Sequence, residues 1–190
     1  MKYRDSGMPE QTVWDTFFNA EQTLELLEVS HNIKNLVDIG CGYGTFLLPA
    51  SKIISGTAIG IDIDQHHLKI CQNQIKNTGA QNIHLINGDI SEEETIKAIS
   101  TRVKEVDYIT LFNILHCEEP LKLLENAYDL LKPGGQIGVI HWIHGDTGRG
   151  PSLEIRPKPE AIIKWANTAG LTLLKQAALP PFHFGLVFKK

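Results

Sequence analysis

A glycine-rich turn between a buried strand and a helix constrains the fold of this chain more than any other feature. The segment 35–39 is a short apolar run, and Gly40, Gly42 and Gly44 follow it at alternate positions before a helical pattern begins. Glycine lets the backbone adopt positive φ and approach a ligand closely, and the N-terminus of the next helix offers free N–H groups. Ligands of open α/β sheets bind at the carboxyl ends of the strands. The turn therefore predicts a nucleotide-like ligand in an α/β fold.

Strand and helix patterns alternate along the rest of the chain. This alternation predicts βαβ units and a doubly wound, mostly parallel sheet with helices on both faces. The last two strands, separated by a break at Pro180–Pro181, predict an antiparallel hairpin at the sheet edge. The predicted strands are 35–39, 57–62, 82–86, 106–112, 136–142, 171–178 and 183–189. Helices are predicted over 11–29, 44–54, about 92–101 and about 158–169. Two further helices are predicted from apolar stripes, one formed by Leu68, Cys71 and Ile75 and one that runs from Leu121 to Leu131.

Composition limits the class of protein. A length of 190 residues and 42% hydrophobic content fit a single domain. We divide it into an N-terminal helical cap at 1–30, a cofactor-binding core at 35–143, and a substrate loop, helix and hairpin at 144–190. The net charge of −4 and the scattered basic residues argue against a nucleic-acid partner.

The cysteines and the apolar runs predict the compartment. The three cysteines form no CxxC pair, so we expect neither a metal site nor a disulfide framework. This cysteine usage predicts a reducing compartment. No apolar run approaches the roughly 18 residues of a membrane span, and the first 18 residues lack the apolar core of a signal peptide. These features predict a soluble, cytoplasmic protein that does not engage a membrane, and they leave its oligomeric state open.

The spacing of the glycines indicates which nucleotide-like ligand to expect. The dinucleotide fingerprint G-x-G-x-x-G would place its third glycine at position 45, where the chain has Thr45. Asp38 stands two residues before the first glycine. A carboxylate is unfavourable beside a pyrophosphate but is compatible with a cationic amino-acid tail. The turn, which includes Cys41 and Tyr43, therefore fits a nucleoside that carries an amino acid better than it fits a dinucleotide.

Two acidic segments follow the next two strands. Asp62 ends the second strand about 20 residues after the glycines, where a carboxylate can accept hydrogen bonds from both ribose hydroxyls. Asp64 is the alternative, and it is also suited to cap the following helix. After the third strand, Asp89 of the segment 87–90 can accept a hydrogen bond from an adenine amino group while Ile90 packs on the ring. The alternative for Asp89 is a simple Asx turn.

Two further segments complete a recognisable series. The segment 106–116 carries the fourth strand, and Lys132-Pro-Gly-Gly135 breaks the chain before the fifth. Taken in order and spacing, the five elements resemble the class I S-adenosylmethionine-dependent methyltransferases over residues 35–143. Outside this core, the segments 149–152, 155–160 and 179–185 and the opening Tyr3–Pro9 are similar to a group of small bacterial methyltransferases, a likeness that implies no particular substrate.

The resemblance implies a seven-stranded sheet with a final antiparallel strand. It also implies S-adenosylmethionine as the cofactor and S-adenosylhomocysteine as the product. In such a site Asp62 holds the ribose, Asp89 the adenine and the glycine turn the methionine part, while the region 111–113 faces the transferable methyl group. The expected cofactor-binding residues are Asp38, Gly40, Cys41, Gly42, Tyr43, Gly44, Asp62, Ile63, Gly88, Asp89, Ile90, Leu111 and Asn113.

The acceptor is less constrained than the cofactor. Family members that methylate amide or base nitrogens often carry Asp/Asn-Pro-Pro-aromatic after the fourth strand, and this chain has Leu111–Ile114 there, so we expect a small-molecule acceptor. His116 is the candidate catalytic base, because histidine titrates near neutral pH. The alternative is a packed histidine at a helix start. Two other functions stay open, a non-catalytic S-adenosylmethionine-binding module and a nicotinamide-dependent oxidoreductase.

The remaining histidines and aromatic residues are expected to pack against one another. His141 and His144 are separated by an odd number of residues, so on a continuing strand they point to opposite faces and do not share a metal. His183 is expected in an aromatic cluster at the sheet edge. The N-terminal aromatic residues are expected to form the apolar face of the first helix, with closure over the cofactor as the alternative. The residues that would close over the site are Tyr3, Arg4, Trp14, Phe17 and Phe18.

Overall fold

Seven strands form one mixed sheet in the computed structural model, which describes residues 8–190; Tyr3 and Arg4 lie outside that range. The sheet order is β3-β2-β1-β4-β5-β7-β6. Strands β1 to β5 run parallel, and β7 runs antiparallel to both β5 and β6. The strands are β1 Leu36–Ile39, β2 Ala58–Asp62, β3 Ile83–Asn87, β4 Val106–Phe112, β5 Leu131–Trp142, β6 Thr172–Leu179 and β7 His183–Lys189. The doubly wound fold and its antiparallel C-terminal hairpin are thus confirmed.

The helices connect the strands and cover both faces of the sheet. They are α1 Gln11–Trp14, α2 Ala20–Leu26, α3 Leu47–Ile53, α4 Gln65–Thr78, α5 Glu93–Ser100, α6 Pro120–Leu130 and α7 Pro159–Thr168, with a 3-10 turn at Asp15–Phe17. None of the helices in this described part of the chain is long and apolar enough to cross a lipid bilayer.

The single helix predicted over 11–29 is wrong. Phe18 adopts an extended conformation, with φ −135° and ψ 143°, and it interrupts the helical segment. Asn19 then starts α2 as its N-cap, because its side chain accepts a hydrogen bond from the backbone N–H of Gln22 at 3.1 Å. Asparagine offers this local bond more readily than it continues a helix. The helix predicted from residue 44 begins only at Leu47, which leaves Pro49 in the first turn, where proline is tolerated.

The predicted start of the fifth strand also differs. Residues 131–135 belong to β5 and not to a turn before it, and the register with β4 shifts between Val106 and Tyr108. The C-terminus holds this stretch in the sheet: the Gly134 N–H donates to the Lys190 carbonyl, and the Lys190 N–H donates to the Gly135 carbonyl. The Pro-Gly-Gly segment therefore forms an irregular strand and not a separate loop.

The sheet separates two hydrophobic cores. Along β4, Ile109 and Leu111 belong to one core while Tyr108 and Phe112 belong to the other. This follows from the strand geometry, in which successive side chains point to opposite faces. Helices α5, α6 and α7 cover the first core, and α2, α3 and α4 cover the second. Because both faces are buried, the strands appear as continuous apolar runs in the sequence.

The strand order fixes where a ligand can bind. The chain runs outward from β1 through β2 to β3, and then returns to β4 on the other side of β1. The connections that leave β1 and β4 therefore diverge to opposite faces and open a crevice at the carboxyl ends of these two strands. Such switch points are the usual ligand sites of open α/β sheets. In this chain the glycine turn lies at that crevice.

Candidate active site

A cavity of about 240 Å³ opens at the carboxyl ends of the parallel strands. It gathers residues from four separate predicted segments: the glycine turn, the end of β2, the turn after β3 and the region after β4. The predicted residues that line it are Asp38, Gly40, Cys41, Gly42, Asp62, Ile63, Gly88, Ile90, Asn113 and His116.

Four predicted contacts do not line this cavity. Leu111 is fully buried in the core beneath the sheet, and its neighbour Phe112 reaches the cavity instead. Asp89 is turned to its own loop, where Oδ1 accepts hydrogen bonds from the backbone N–H and the hydroxyl of Ser91, both at 2.8 Å. The Asx turn, weighed as the alternative, is thus present. Tyr43 and Gly44 do not line the cavity themselves, although the Tyr43 ring contacts that of His67, which does, with 4.7 Å between the centroids.

The glycines of the turn are required by space as well as by conformation. Gly40 has φ +78°, and a Cβ atom there would lie 2.8 Å from Cγ2 of Ile114. Gly42 has φ +52°, and a Cβ atom there would lie 3.1 Å from Cε of Met8. A side chain at either position would be strained and would narrow the cavity between the turn and the segments that face it.

Asp62 links the glycine turn to the end of β2. One carboxylate oxygen accepts a hydrogen bond from the backbone N–H of Gly42 at 2.8 Å, and the other accepts one from the N–H of Asp64 at 2.9 Å. Each oxygen keeps a further lone pair for a hydroxyl group. Asp64 caps α4 by accepting the backbone N–H of His66 at 2.7 Å, which confirms its capping role.

Asp38 is a buried carboxyl group in the wall of the cavity. Only 3% of the residue is exposed, and its Oδ1 accepts a hydrogen bond from the Thr110 hydroxyl at 2.6 Å. Burial raises the pKa of Asp38 to about 7; the hydrogen bond from Thr110 opposes this rise, and the negative charge of Asp62 adds to it. A cation placed in the cavity would favour the ionised form. The site therefore has a built-in preference for a positively charged ligand.

Four aromatic rings also line the cavity. Trp14, Phe46, Phe112 and Trp142 all line it, and they come from α1, the start of α3 and the ends of β4 and β5. The Phe46 and Phe112 rings meet edge to face with their centroids 4.7 Å apart. Phe17 connects Trp14 to Trp142, with a centroid distance of 5.8 Å to each. We call the four lining rings the aromatic wall. These rings are apolar, whereas Asp38 and Asp62 in the same cavity carry carboxyl groups.

The comparison with known families decides the identity of this fold. A family model described as a methyltransferase domain matches residues 36–135, which is more than half of the chain. The chain belongs to this methyltransferase family. The match covers the glycine turn, both acidic segments and the fourth strand, and these are the elements that form the cavity.

Curated relatives and solved structures agree with the family. The methyltransferase is 26% identical over 123 residues to a protein of Listeria welshimeri named demethylmenaquinone methyltransferase, a match that covers 63% of this chain and 49% of the relative. It is 29% identical over 112 residues to the ubiquinone/menaquinone biosynthesis C-methyltransferase UbiE of Wigglesworthia glossinidia brevipalpis, covering 57% and 43%. The chain thus spans about half the length of the curated relatives it matches.

The likeness to a solved structure extends over nearly the whole fold. A crystal structure of an S-adenosylmethionine-dependent methyltransferase from Aquifex aeolicus superposes with a TM-score of 0.79 and 19% identity, and the match covers 95% of this chain and 93% of that one. At this level of identity the superposition concerns the fold alone. The overall fold is therefore shared over nearly the whole length of both chains.

The cavity fits S-adenosylmethionine, the cofactor that the sequence resemblance implies. It offers Asp62 at the end of β2, where a ribose diol can donate to the free lone pairs of the carboxylate. Asp38, a carboxyl group with a pKa raised by burial, gains a counter-ion when a cationic amino-acid group binds near it. Gly40 and Gly42 keep the space between them open. These residues would hold the nucleoside and methionine parts of the cofactor.

Three histidines of the methyltransferase are buried, namely His116, His141 and His183. His116 lines the cavity and contacts His141 edge to face, with ring centroids 5.6 Å apart. Burial lowers the pKa of His141 and of His183 to about 3, assisted by His116 at His141 and by Arg156 at His183. Both rings are therefore neutral at physiological pH.

The packing role expected for His183 is confirmed. Its ring lies 4.3 Å from that of Trp142 and 4.5 Å from that of Phe18. His144 lies on the exposed side of the chain, with Nδ1 2.9 Å from the Arg156 carbonyl oxygen. Within residues 8–190, no group of three or more His, Cys, Asp or Glu residues is arranged to hold a metal ion.

Arg156 organises the loop after β5, and the sequence did not single it out. Its guanidinium group is buried and donates to the carbonyl oxygens of Ile143, Gly145, Arg149 and Pro151 at 2.6–3.2 Å and to the Thr147 hydroxyl at 3.1 Å. Burial lowers the pKa of this guanidinium, although arginine stays charged in proteins. Arg156 thereby fixes the whole loop 143–156 beside Trp142.

Arg149 connects the same loop to the N-terminal segment and to the turn of the C-terminal hairpin. Its guanidinium lies 4.9 Å from the ring centroid of Phe17 and 4.9 Å from that of Phe182. Cation–π contacts of this kind contribute about 0.5–1 kcal/mol each at exposed sites. The loop, the N-terminal segment and the hairpin turn therefore meet at one point next to the aromatic wall.

Proposed function

We propose that this methyltransferase transfers the methyl group of S-adenosylmethionine to a small organic acceptor that binds against the aromatic wall. The observation that carries the proposal is that one cavity is lined both by two carboxyl groups, Asp38 and Asp62, and by the four rings of the aromatic wall. The carboxyl groups suit a cationic nucleoside cofactor, and the rings suit a flat or apolar acceptor. The names of the curated relatives, which refer to quinone-type small molecules, support the same class of acceptor.

Methyl transfer requires the protein mainly to position the two reactants. When bound, S-adenosylmethionine supplies an activated methyl group on a positively charged sulfur. The chain must then align an acceptor atom with that methyl group and exclude water, which are effects of proximity and desolvation. The aromatic wall excludes water. The loop held by the buried guanidinium of Arg156 keeps Trp142 in that wall.

A base is needed only when the acceptor must lose a proton. We assign this role to His116, which lies after β4 and lines the same cavity as the aromatic wall. An imidazole is suited to accept a proton near neutral pH. His141 and His183 are unsuited to this role, because burial has lowered their pKa values to about 3 and removed them from the cavity surface.

Calorimetric titration with S-adenosylmethionine, S-adenosylhomocysteine and NAD tests the proposal directly. We expect the first two to bind at micromolar strength and NAD not to bind. A screen of small acceptors that follows release of S-adenosylhomocysteine then tests transfer. Tight cofactor binding without turnover on any acceptor would favour a non-catalytic module. Binding of NAD alone would contradict the proposal and favour a nicotinamide-dependent oxidoreductase.

Replacing His116 with glutamine tests its role separately. Turnover on an identified acceptor with an acidic hydroxyl should fall by about 100-fold, the usual contribution of a positioned base. Affinity for S-adenosylhomocysteine should change by less than about threefold, because the residues argued to hold the cofactor are Asp38, Asp62 and the glycine turn, and His116 is not among them. His84 on β3, which does not line the cavity, gives a matched control as His84→Gln. Equal turnover of native protein and His116→Gln would remove the base assignment.

A further inference from the structure

Asn113 combines two unfavourable features at one position of the cavity wall. It is a non-glycine residue with φ +57°, in the left-handed region. Its side chain is buried, with 6% of the residue exposed, and neither the amide oxygen nor the amide nitrogen has a hydrogen-bond partner. The main chain, in contrast, is fixed, since the Asn113 N–H donates to the Ile140 carbonyl at 2.8 Å.

Both features are costly to the folded protein. Buried polar groups are nearly always hydrogen-bonded, and strained backbone conformations concentrate at functional sites. A leucine or a glycine at this position would avoid one cost or both. The amide of Asn113 is therefore best explained by a partner that the folded chain itself does not supply, and the residue lines the cavity in which such a partner would bind.

The chemistry of a carboxamide defines that partner. The amide offers an acceptor oxygen and a donor NH₂ group side by side. A ligand satisfies both at once only if it carries a hydrogen-bond donor next to a hydrogen-bond acceptor. Rotation about the terminal torsion of asparagine is broad, so the amide can turn towards a ligand in the cavity without changing the backbone.

The surroundings of Asn113 define the shape of the ligand. Phe112 precedes it on β4, and Trp142 stands at the end of the adjacent strand β5. Phe46 lies edge to face against Phe112, with 4.7 Å between the ring centroids. Aromatic walls of this kind favour flat rings, which stack or meet edge to face.

We propose that Asn113 is a specificity-determining residue of the acceptor site. The acceptor it recognises is a planar aromatic molecule that carries a hydrogen-bond donor beside a hydrogen-bond acceptor. A ring hydroxyl next to a ring nitrogen, or next to a carbonyl, is an example. The inference rests on the proposed function, because it assigns the aromatic wall of the cavity to the acceptor. It concerns recognition of the acceptor, whichever of its atoms receives the methyl group.

Three isosteric probes test this recognition. 8-Hydroxyquinoline carries a hydroxyl next to a ring nitrogen, 1-naphthol keeps only the hydroxyl, and quinoline keeps only the nitrogen. Saturation-transfer NMR titrations on protein saturated with S-adenosylhomocysteine should show 8-hydroxyquinoline binding about tenfold more tightly than either control, the effect of one additional hydrogen bond in a buried site.

Two variants link this preference to Asn113. Asn113→Gly suits the left-handed backbone and removes the amide, and Asn113→Asp tolerates the same backbone but loses the donor. In both, the tenfold preference should fall to about twofold or less, while affinity for S-adenosylhomocysteine stays within about threefold of native. Asn126→Ala is the matched control, because Asn126 lies on α6, outside the cavity, and also has an unpartnered buried amide nitrogen. It should keep the full preference.

The outcomes separate this inference from the proposed function. If native protein binds S-adenosylhomocysteine but shows no preference among the probes, the role of Asn113 is wrong and the proposed function stands. If Asn113→Gly loses S-adenosylhomocysteine by tenfold or more, the amide serves the cofactor and not the acceptor. If native protein does not bind S-adenosylhomocysteine at all, the proposed function fails, and the inference fails with it.

Discussion

Replacing Asp62 with alanine should lower the affinity for S-adenosylmethionine by at least about 100-fold, because hydrogen bonds to a charged carboxylate contribute about 1.5–3 kcal/mol each. The expected loss has two sources. The ribose loses its acceptor at the end of β2. The glycine turn also loses an anchor, since Asp62 accepts the Gly42 N–H at 2.8 Å. Calorimetric titration with S-adenosylmethionine measures the change.

Asp62→Asn separates these two sources. Asparagine can still accept the Gly42 N–H through its oxygen, but it offers the ribose one acceptor and no negative charge. We therefore expect an affinity between that of native protein and that of Asp62→Ala. Asp129→Ala, which removes an exposed carboxylate on α6, is the control and should bind like native protein. Unchanged affinity in Asp62→Ala would exclude Asp62 from the site.

Replacing Asp38 with asparagine should stabilise the cofactor-free protein at neutral pH and weaken cofactor binding at the same time. Folding raises the pKa of Asp38 from 3.8 to about 7. Between these values the folded protein retains a proton that the unfolded chain has released. The free energy of unfolding contributed by Asp38 is therefore fully present below pH 3.8 and is lost as pH rises to 7, by about 4 kcal/mol in all at about 1.4 kcal/mol per pKa unit.

Asparagine removes this titration and still accepts the hydrogen bond from Thr110. In urea denaturation of the cofactor-free proteins, the free energy of unfolding of Asp38→Asn should rise steadily relative to that of native protein from pH 4 to pH 7. Parallel pH dependences of the two proteins would show that Asp38 does not titrate as its burial implies.

The cofactor should show the opposite preference. Its positive charge favours the ionised form of Asp38, so the affinity of native protein for S-adenosylmethionine should rise by several-fold between pH 6 and pH 8 as the carboxyl group loses its proton. Asp38→Asn should bind more weakly and with little pH dependence over this range. Calorimetry at both pH values tests this. An affinity of the variant equal to that of native protein at pH 8 would place the cationic group of the cofactor elsewhere.

Local signals account for the parts of the fold that the sequence predicted. The first three parallel strands are short runs that end at glycine or at acidic residues, and Pro180–Pro181 marks the turn of the hairpin. The broken N-terminal helix could not be predicted in this way. Phe18 takes an extended conformation where its ring packs on Phe46 and His183, and these contacts come from residues distant in sequence.

The site shows the same division. Residues next to the glycine turn and at the end of β2 were predictable, because their positions follow from motifs within a few residues. The sequence could not show whether Leu111 or Phe112 reaches the cavity. Both residues are apolar and β4 is buried on both faces, so residue type does not reveal which side chain points to which face of the sheet. Of the aromatic wall, only Trp14 was considered from the sequence, as the alternative in which N-terminal residues close over the cofactor. The other three rings come from separate elements that meet only in the folded chain.

Arg156 binds the loop after β5 almost entirely through main-chain carbonyl oxygens. Main-chain groups are present whatever the side chains are, so substitutions within the loop leave these hydrogen bonds in place. The loop can therefore change its surface chemistry while its path is conserved. A relative that keeps an arginine at this position and varies residues 144–155 would therefore present a different surface beside Trp142 on an unchanged scaffold.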